Sequence, residues 1–362
     1  MRVVFRTDAS LNIGTGHVMR CATLANELSK RGASCSFVCR EHRGHLFDFI
    51  RQQGHAVISL PYLGDPDQAN FDQHYESWLG TDWKTDAYQT INSIAQHRVD
   101  LLITDHYAID YRWEVMLQPV CKRLMVIDDL ADRSHDCDIL IDQNLGRRAE
   151  DYRHRLKLGT QVFIGPLYAL IRPEFALWRK HSLERRKKSK VKHLLIAMGG
   201  IDKNNLTHEI LDCLHTLQPS LDINITVLLS AQAPWLEQIK AFAVSMSQPT
   251  RVLTGISNVA EVMSGCDIAV GAAGGTAWER CTLGLPSILL LQAENQSSGS
   301  AALQAAGAAK FALNINEVCN WVVHFSSTDN IDMLETMTLN ASQICDGMGV
   351  SRVAEQIMID YD

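Results

Sequence analysis

The sequence predicts an α/β protein made of two doubly wound, Rossmann-type domains. Three observations predict it. The chain has 362 residues, which exceeds one typical domain and suits two. Short β-branched runs alternate with segments of helical period. The alternation pauses near residue 185 and restarts at 193. Apolar strands separated by helices are typical of a parallel sheet covered on both faces.

In the first half, strands are predicted at 3–6, 34–40, 55–60, 100–106, 124–129 and 139–142, and helices at 17–30, 45–53 and 86–97. Residues 61–86 are rich in Asp, Gly, Trp and Tyr, and are predicted to form a long surface excursion. In such sheets ligands bind beyond the carboxyl ends of the strands. We therefore expect the site in a cleft between the two domains.

In the second half, strands are predicted at 193–198, 223–230, 251–254, 267–270 and 287–291, and helices at 206–217, 235–244 and from 332 onwards. The basic run at 185–190 is interpreted as a solvated linker rather than as a phosphate-binding patch. The predicted organisation is an N-terminal domain over 1–180, a C-terminal domain over 191–335 and a helical tail over 336–362.

Composition narrows the function classes. The formal net charge is -7, which does not favour a nucleic-acid or anionic-membrane partner. Ten scattered cysteines without a CxxC pair predict reduced, buried thiols rather than a zinc site. No apolar run is long enough to span a bilayer, and no secretory leader is recognisable. These features predict a cytoplasmic enzyme, with a monomer as the default state.

The first candidate motif runs from Arg6 to His17 and joins the first strand to the first helix. Gly14 and Gly16 allow a tight turn and a close approach of a ligand, and Asp8 precedes them as a candidate substrate-binding residue. His17 falls in the first turn of the helix, where a neutral imidazole is suited to accept a proton from water. The alternative is a capping or packing histidine.

Two glycine loops follow strands in the second half. Gly199 and Gly200 lie before one helix, and Gly274, Gly275 and Thr276 lie before another, with Glu279 one turn further on. Backbone amides in such loops bind phosphate, and a carboxylate can accept both ribose hydroxyls. The alternatives are a tight turn for the first loop and a surface helix position for Glu279.

Polar residues at other strand ends complete the candidates. Tyr107 follows the strand at 100–106, and Asn295 and Gln296 follow the strand at 287–291. These amides are suited to hold sugar hydroxyl or acetamido groups, although they are also common helix caps. Asp128, Asp129 and Asp132 form a conceivable metal cluster, but capping and pairing with Arg133 is favoured, so no metal ligand is predicted.

Several motifs closely resemble one enzyme family, the UDP-2,4-diacetamido-2,4,6-trideoxy-β-L-altropyranose hydrolases of pseudaminic acid biosynthesis. The most specific is Phe5 to Cys21, which contains the His17 loop. The other similar segments are 104–107, 127–133, 137–144, 198–202, 278–281 and 346–349. The resemblance covers nearly the whole chain, whereas the glycine loops are also shared with nucleotide-sugar glycosyltransferases.

The resemblance implies a GT-B-like fold with two Rossmann-type domains, an interdomain cleft, and UDP held mostly by the second domain. It also implies that His17 is the catalytic base, with Tyr107 and Asn295 near the sugar. Gly275, Thr276 and Glu279 would bind phosphate and ribose.

The chemistry is coherent from the residues alone. UDP is a good leaving group once its diphosphate is stabilised, so a base for water suffices and neither a metal nor a cofactor is required. Attack at the anomeric carbon would break the C1–O bond with inversion. The rivals are a GT-B glycosyltransferase, distinguished by its dependence on an acceptor, and a non-catalytic nucleotide-sugar binding protein, distinguished by bound but intact substrate. The sequence leaves the sugar stereoisomer open.

Overall fold

The computed structural model describes residues 1–64, 75–95, 98–187, 190–217, 221–290, 297–327 and 330–359. The chain divides into two units. The first contains Met1–Leu170 and Gly349–Asp362, and the second contains Ile171–Met348. Each unit is built around its own parallel sheet, which confirms the predicted fold class of two doubly wound α/β domains.

In the described part of the first unit, seven strands form one sheet in the order β3-β2-β1-β4-β5-β6-β7. Their bounds are β1 Arg2–Thr7, β2 Ser34–Arg40, β3 Ala56–Leu60, β4 Val99–Asp105, β5 Cys121–Ile127, β6 Ile139–Asp142 and β7 Gln161–Ile164. Each neighbouring pair is parallel. Strand β7 was not among the predicted strands, because its four residues carry little β-branched signal beyond Val162 and Ile164.

Helices cover both faces of this sheet: α1 Gly16–Lys30, α2 Phe47–Gln52, α3 Trp83–Ile94 and α4 Tyr111–Leu117. The alternation of side chains along β1 directs them to opposite faces. Val3 and Phe5 pack with Leu24 and Leu28 of α1 in one apolar cluster. Val4 packs in a second cluster, with Trp113 of α4. Burial on both faces explains why these strands are almost continuously apolar.

A fully buried ionic cluster joins β1 to α3. Asp86 accepts hydrogen bonds from Arg6 at 2.6 and 3.1 Å, from Arg40 at 2.6 Å and from the Trp113 indole at 2.9 Å. Burial opposes ionisation of Asp86, but Arg6 and Arg40 outweigh it and lower its pKa. The second carboxylate of the cluster, Asp8, lies 2.7 Å from Arg6 Nη1. The two carboxylates balance the two guanidinium charges, which burial requires.

In the described part of the second unit, six parallel strands form one sheet in the order β10-β9-β8-β11-β12-β13. Their bounds are β8 His193–Ala197, β9 Asn224–Leu229, β10 Thr250–Thr254, β11 Ile268–Gly271, β12 Ser287–Leu290 and β13 Ala309–Ala312. The helices of this unit are α5 Glu174–Arg185, α6 Leu206–His215, α7 Leu236–Ser245, α8 Val259–Ser264, α9 Thr276–Thr282, α10 Ser297–Ala305, α11 Ile315–Ser326 and α12 Ile331–Ile344. Strand β13 was not predicted.

The unit boundaries differ from the predicted domain boundaries. The chain passes from the first unit to the second at Leu170, before α5 rather than after it. The basic run at 185–190 is therefore not a linker, and Arg186 is buried in the second unit. Its guanidinium donates to the carbonyl oxygens of Met263 and Cys266 at 3.1 and 2.6 Å. These carbonyl acceptors are contributed by distant residues, so the linear charge pattern did not reveal them.

The predicted helical tail also divides between the units. Helix α12 belongs to the second unit, whereas α13 (Gly349–Ile359) belongs to the first. Val350 and Val353 of α13 join the cluster around Val3 and Phe5. A Cβ at Gly349 would lie 2.4 Å from the carbonyl oxygen of Ala169, so the start of α13 requires glycine.

The cysteines follow the prediction except for one pair. Cys213 of α6 and Cys319 of α11 form a disulfide, so the expectation of free thiols throughout is wrong there. The other cysteines form no disulfide and are buried. Among the described residues, the helices include none that is both long and apolar enough to cross a membrane.

Candidate functional site

One candidate region lies where strand order reverses in the first sheet. Strand β1 pairs with β2 on one side and with β4 on the other, and Thr7 and Asp105 are register partners at the carboxyl ends of β1 and β4. The chain leaves these two ends towards opposite faces of the sheet, which opens a crevice between them. His17 follows β1 and Asp105 ends β4, so the topology brings them together.

The loop between β1 and α1 is held in shape by its own hydrogen bonds. Ser10 Oγ accepts from the backbone N–H groups of Asn12 and Ile13 at 3.1 and 2.9 Å. Gly14 adopts a φ of 82°, in the region that favours glycine, and pairs with Ser10. Helix α1 begins at Gly16, so His17 lies in its first turn as predicted.

His17 is buried and is oriented by a carboxylate. Its Nδ1 lies 2.6 Å from Asp105 Oδ1, and Asp105 is fully buried. Because an ionised carboxylate can only accept, this contact places the imidazole hydrogen on Nδ1. In the neutral ring, Nε2 is the acceptor nitrogen, and among the described residues no protein group occupies it.

Arg20, one turn beyond His17, keeps Asp105 ionised. Its guanidinium donates to both oxygens of Asp105, at 2.6 and 2.7 Å, and to Asp129 at 3.0 Å. Burial by itself would raise the pKa of Asp105, but Arg20 and then His17 outweigh it, so the pKa lies well below its ordinary range. The site thus contains a permanent carboxylate behind the imidazole.

Tyr107 lies against His17, as expected for a residue of the same site. The two rings meet edge to face with centroids 4.7 Å apart, and Tyr107 Oη donates to Asp129 at 2.7 Å. Burial and the nearby Asp129 raise the pKa of Tyr107 well above its ordinary value, so its hydroxyl remains protonated. Its chemical role is therefore that of a hydrogen-bonding and packing group.

An aromatic wall that the sequence did not reveal completes this candidate region. Trp78, in a short 3₁₀ helix at Tyr75–Leu79, stacks on Tyr107 with centroids 5.5 Å apart and meets His17 edge to face at 6.3 Å. These residues belong to the predicted surface excursion at 61–86. Arg20 was also not among the predicted site residues, although its helical spacing from His17 is a signal that could have indicated it.

Asp8 was predicted to bind substrate, but its position does not suit direct contact with a ligand. It is fully buried, accepts from the backbone N–H of Arg40 at 2.6 Å and pairs with Arg6. Burial opposes its ionisation, but Arg6 outweighs this and lowers its pKa. These contacts engage Asp8 inside the sheet, where it supports the loop that carries His17.

The acidic residues after β5 accept hydrogen bonds from backbone N–H groups and pair with arginine. Asp128 accepts from the backbone N–H of Ala131 at 2.8 Å and from Arg133 at 3.2 Å. Tyr152 Oη lies 2.8 Å from Asp128 and 2.9 Å from Asp142. Within the described ranges, no group of three or more His, Cys, Asp or Glu side chains is arranged to hold a metal ion.

A second candidate region lies at the equivalent reversal in the second sheet, between β8 and β11. The loop with Gly199 and Gly200 follows β8, and Gly199 adopts a φ of 97°. Asp202 caps the next helix by accepting from the backbone N–H groups of Leu206 and Thr207 at 3.0 and 2.8 Å. The alternative of a tight turn and the prediction of a phosphate loop are both compatible with this geometry.

The loop after β11 carries Gly274, Gly275 and Thr276 into α9. A Cβ at Gly274 or Gly275 would have no described atom within 4 Å, so ligand atoms have room to approach the backbone. Glu279 is mostly buried and lies 3.4 Å from Arg172. Burial raises its pKa. Glu279 is therefore not a solvated surface residue. Asn295 and Gln296 lie outside the described residues.

Comparison with curated proteins finds three similar sequences. The chain is 30% identical over 266 residues to the UDP-2,4-diacetamido-2,4,6-trideoxy-β-L-altropyranose hydrolase of Campylobacter jejuni, which covers 73% of this chain and 82% of that protein. It is 21% identical over 313 residues to the spore coat polysaccharide biosynthesis protein SpsG of Bacillus subtilis, covering 85% and 83% of the two chains. No protein-family model matches the chain.

The third relative is an uncharacterized protein of Methanocaldococcus jannaschii. It is 27% identical over 300 residues, or 82% of this chain. The matched region spans only 57% of that protein, so the archaeal relative is considerably longer.

Solved structures show the same fold at low sequence identity. MurG of Acinetobacter baumannii has a TM-score of 0.67 at 14% identity, with 99% of each chain covered. The spinosyn rhamnosyltransferase SpnG has a TM-score of 0.64 at 13% identity, covering 98% of this chain and 100% of that chain. These neighbours are GT-B glycosyltransferases, and at this identity they show the fold alone.

We predict that Asp142 makes stability depend on pH. Burial and the nearby Asp129 raise its pKa from 3.8 to about 6, so as pH rises the unfolded state loses this proton first. As the pH rises from about 4 to 6, Asp142 therefore lowers the free energy of unfolding by a growing amount, up to about 3 kcal/mol. The stability of Asp142→Asn relative to the natural protein should rise over that window.

Urea unfolding at a series of pH values measures this difference. Asp48→Asn is the control, because Asp48 is exposed and its exchange should leave the pH profile parallel to that of the natural protein. Parallel profiles for Asp142→Asn as well would contradict the assignment.

Proposed function

The chain belongs to the family of UDP-2,4-diacetamido-2,4,6-trideoxy-β-L-altropyranose hydrolases, and from that premise we propose that it hydrolyses this nucleotide sugar to UDP and the free 2,4-diacetamido-2,4,6-trideoxy-L-altropyranose. Membership of this family supports an enzyme that acts on nucleotide sugars. The observation that carries hydrolysis is the His17–Asp105 pair, 2.6 Å apart, which leaves Nε2 of His17 as the acceptor nitrogen of the neutral ring.

In the proposed reaction, a water molecule attacks the anomeric carbon while His17 Nε2 accepts its proton. The new bond joins the water oxygen to C1. The C1–O bond to the β-phosphate breaks, its electron pair leaves with UDP, and the configuration at C1 inverts. Asp105, held ionised by Arg20, stabilises the imidazolium that forms and keeps the ring in its tautomer.

The aromatic groups beside His17 suit the sugar. Tyr107 and Trp78 offer stacked rings, and a sugar with a deoxy carbon and acetamido methyl groups presents apolar surface to them. We assign Tyr107 to the sugar, together with Asn295 and Gln296. This step would form part of pseudaminic acid biosynthesis.

The second unit is proposed to hold UDP. Gly199 and Gly200, together with Gly274, Gly275 and Thr276, supply backbone and hydroxyl donors for the diphosphate. Glu279 would accept the ribose hydroxyls, and Arg172 lies close enough to keep its carboxylate in place. Oriented donors of this kind stabilise the leaving group directly, so the proposed reaction needs no metal ion.

A glycosyltransferase is the second candidate, because the similar solved structures are transferases. Fold and nucleotide site would be shared, since function resides in the site rather than in the fold. The two reactions differ in what attacks C1: water in hydrolysis, an acceptor hydroxyl in transfer.

We predict rapid UDP release from UDP-2,4-diacetamido-2,4,6-trideoxy-β-L-altropyranose with EDTA present and no acceptor. His17→Leu should lower the rate by about 10²-fold or more, because general base catalysis typically contributes 10²–10⁴-fold, while UDP binding measured by calorimetry persists. His55→Leu is the matched control, since His55 bonds Asn26 away from this site.

Each outcome of that assay is informative. Release that begins only when an acceptor is added would replace hydrolysis by transfer. Unchanged UDP release by His17→Leu would be consistent with hydrolysis but would reject His17 as the catalytic base.

The bond that breaks is a separate prediction. In ¹⁸O-labelled water the label should enter the free sugar and be absent from UDP, because water attacks carbon. Mass spectrometry of both products measures this. Label in UDP would mean that water attacks phosphorus, which would contradict the proposed attack at C1.

Asp105→Asn is predicted to lower kcat by about 10²–10⁴-fold with little change in KM, because it removes the charge that stabilises the imidazolium without removing a substrate contact. Asp100→Asn is the control: Asp100 lies at the other end of β4 and pairs with Lys122. An equal loss in both variants would point to a general effect on folding.

A further inference from the structure

The second unit contains a buried charged side chain, Arg280, to which the proposed reaction assigns no role. Arg280 of α9 is 1% exposed, and in the described part of the chain no carboxylate lies within ion-pair distance of it. Burial lowers its pKa to about 10, so the guanidinium remains charged at neutral pH. A buried charge without an ion-pair partner is expensive. The carboxylate that acts on Arg280 from further away is Glu279, its neighbour in α9.

Its hydrogen bonds are all to neutral oxygens. Nε donates to Ser287 Oγ at 3.1 Å, Nη1 to Thr276 Oγ1 at 3.1 Å and Nη2 to the carbonyl oxygen of Ala272 at 2.6 Å. These contacts orient the guanidinium without neutralising it. The first unit follows the opposite rule, since there Arg6, Arg20 and Arg40 are each paired with carboxylates.

The guanidinium lies at the reversal of strand order. Ala197 and Gly271 are register partners at the carboxyl ends of β8 and β11. A Cβ at Gly271 would lie 2.6 Å from Nη1 of Arg280 and 2.9 Å from the carbonyl oxygen of Ala197. Glycine at 271 therefore makes the space that the guanidinium fills, at the strand ends from which both glycine loops begin.

Thr276 connects this charge to the loop surface. Its hydroxyl oxygen accepts from Arg280, so the hydroxyl hydrogen must point to another acceptor. Thr276 is partly exposed, and Gly274 and Gly275 beside it leave room for a ligand. A hydroxyl polarised by a cation behind it is a stronger donor to an anion in front of it.

We propose that Arg280 is the buried counter-charge for the diphosphate of the bound nucleotide, acting from beneath the loop and through Thr276. It is a positioning residue and does not touch the ligand. The inference rests on the proposed function, because it takes the loop at Gly274–Thr276 as the diphosphate site. It adds a cation that attracts the diphosphate without a salt bridge.

The experiment compares UDP with uridine, which lacks the diphosphate. Affinities for the natural protein, Arg280→Met and Arg280→Lys are measured by titration calorimetry, with uridine in competition. Arg280→Met should weaken UDP binding by about tenfold or more and leave uridine binding unchanged. Arg280→Lys, which keeps the charge, should bind UDP within a few-fold of the natural protein.

Arg186 provides a matched control in the same unit. It is also buried, and burial also lowers its pKa to about 10. It donates to the carbonyl oxygens of Ser182 and Cys266. Cys266 lies before β11, whereas the glycine loop lies after β11, so Arg186 is remote from that loop in the chain's path along the strand. Arg186→Met should lower stability without changing the ratio of UDP to uridine affinity. An equal loss of both ligands in Arg280→Met would reveal a structural role and overturn the inference.

Thr276→Val provides an independent test of the inference if Arg280→Met does not fold. Thr276 is partly exposed, and loss of its hydroxyl should weaken UDP but not uridine. Unchanged UDP affinity in Thr276→Val would reject the relay through the hydroxyl. Failure of the natural protein to bind UDP would instead reject the proposed function, and the inference with it.

Discussion

The reversal of strand order in the middle of each parallel sheet is the constraint on which the site depends. At β1 and β4, and again at β8 and β11, neighbouring strands end side by side while the chain continues to opposite faces. The crevice that results is lined by whatever residues follow those strands. In the first unit they are His17, Asp105 and Tyr107, and in the second they are the two glycine loops.

Charge burial distinguishes the two crevices. Asp105 contacts both Arg20 and His17, so the first crevice contains a fixed negative charge behind the imidazole ring, an arrangement that stabilises a proton accepted by that ring. The second crevice contains Arg280, which has no carboxylate within ion-pair distance among the described residues and is influenced only more weakly by Glu279. A basic crevice of this kind suits a polyanionic ligand even though the protein as a whole has a net charge of -7.

Strands with strong β-branched runs and helices with clear apolar faces were predictable, since local propensity and burial agree there. Strands β7 and β13 were missed because a four-residue edge strand carries too little pattern. The basic run at 185–190 was misread for a different reason. Charge usually indicates solvent, but the carbonyl oxygens of 263 to 266 give Arg186 a buried set of acceptors that only folding assembles.

By itself the sequence determined the alternation of strands and helices, the loops that need glycine, and the position of His17 in the first turn of α1, because each depends on residues close together in the chain. Only the tertiary structure decided which groups surround those positions. Asp105 lies 88 residues from His17, and the pairing of β1 with β4 is what places it 2.6 Å away. In the same way, the engagement of Asp8 inside the sheet, the wall formed by Trp78 and the unpaired charge of Arg280 are set by strand pairing and packing. A local pattern shows that a strand is buried on both faces, but it does not show which strands pair or which helices pack on them, and those long-range choices set these contacts.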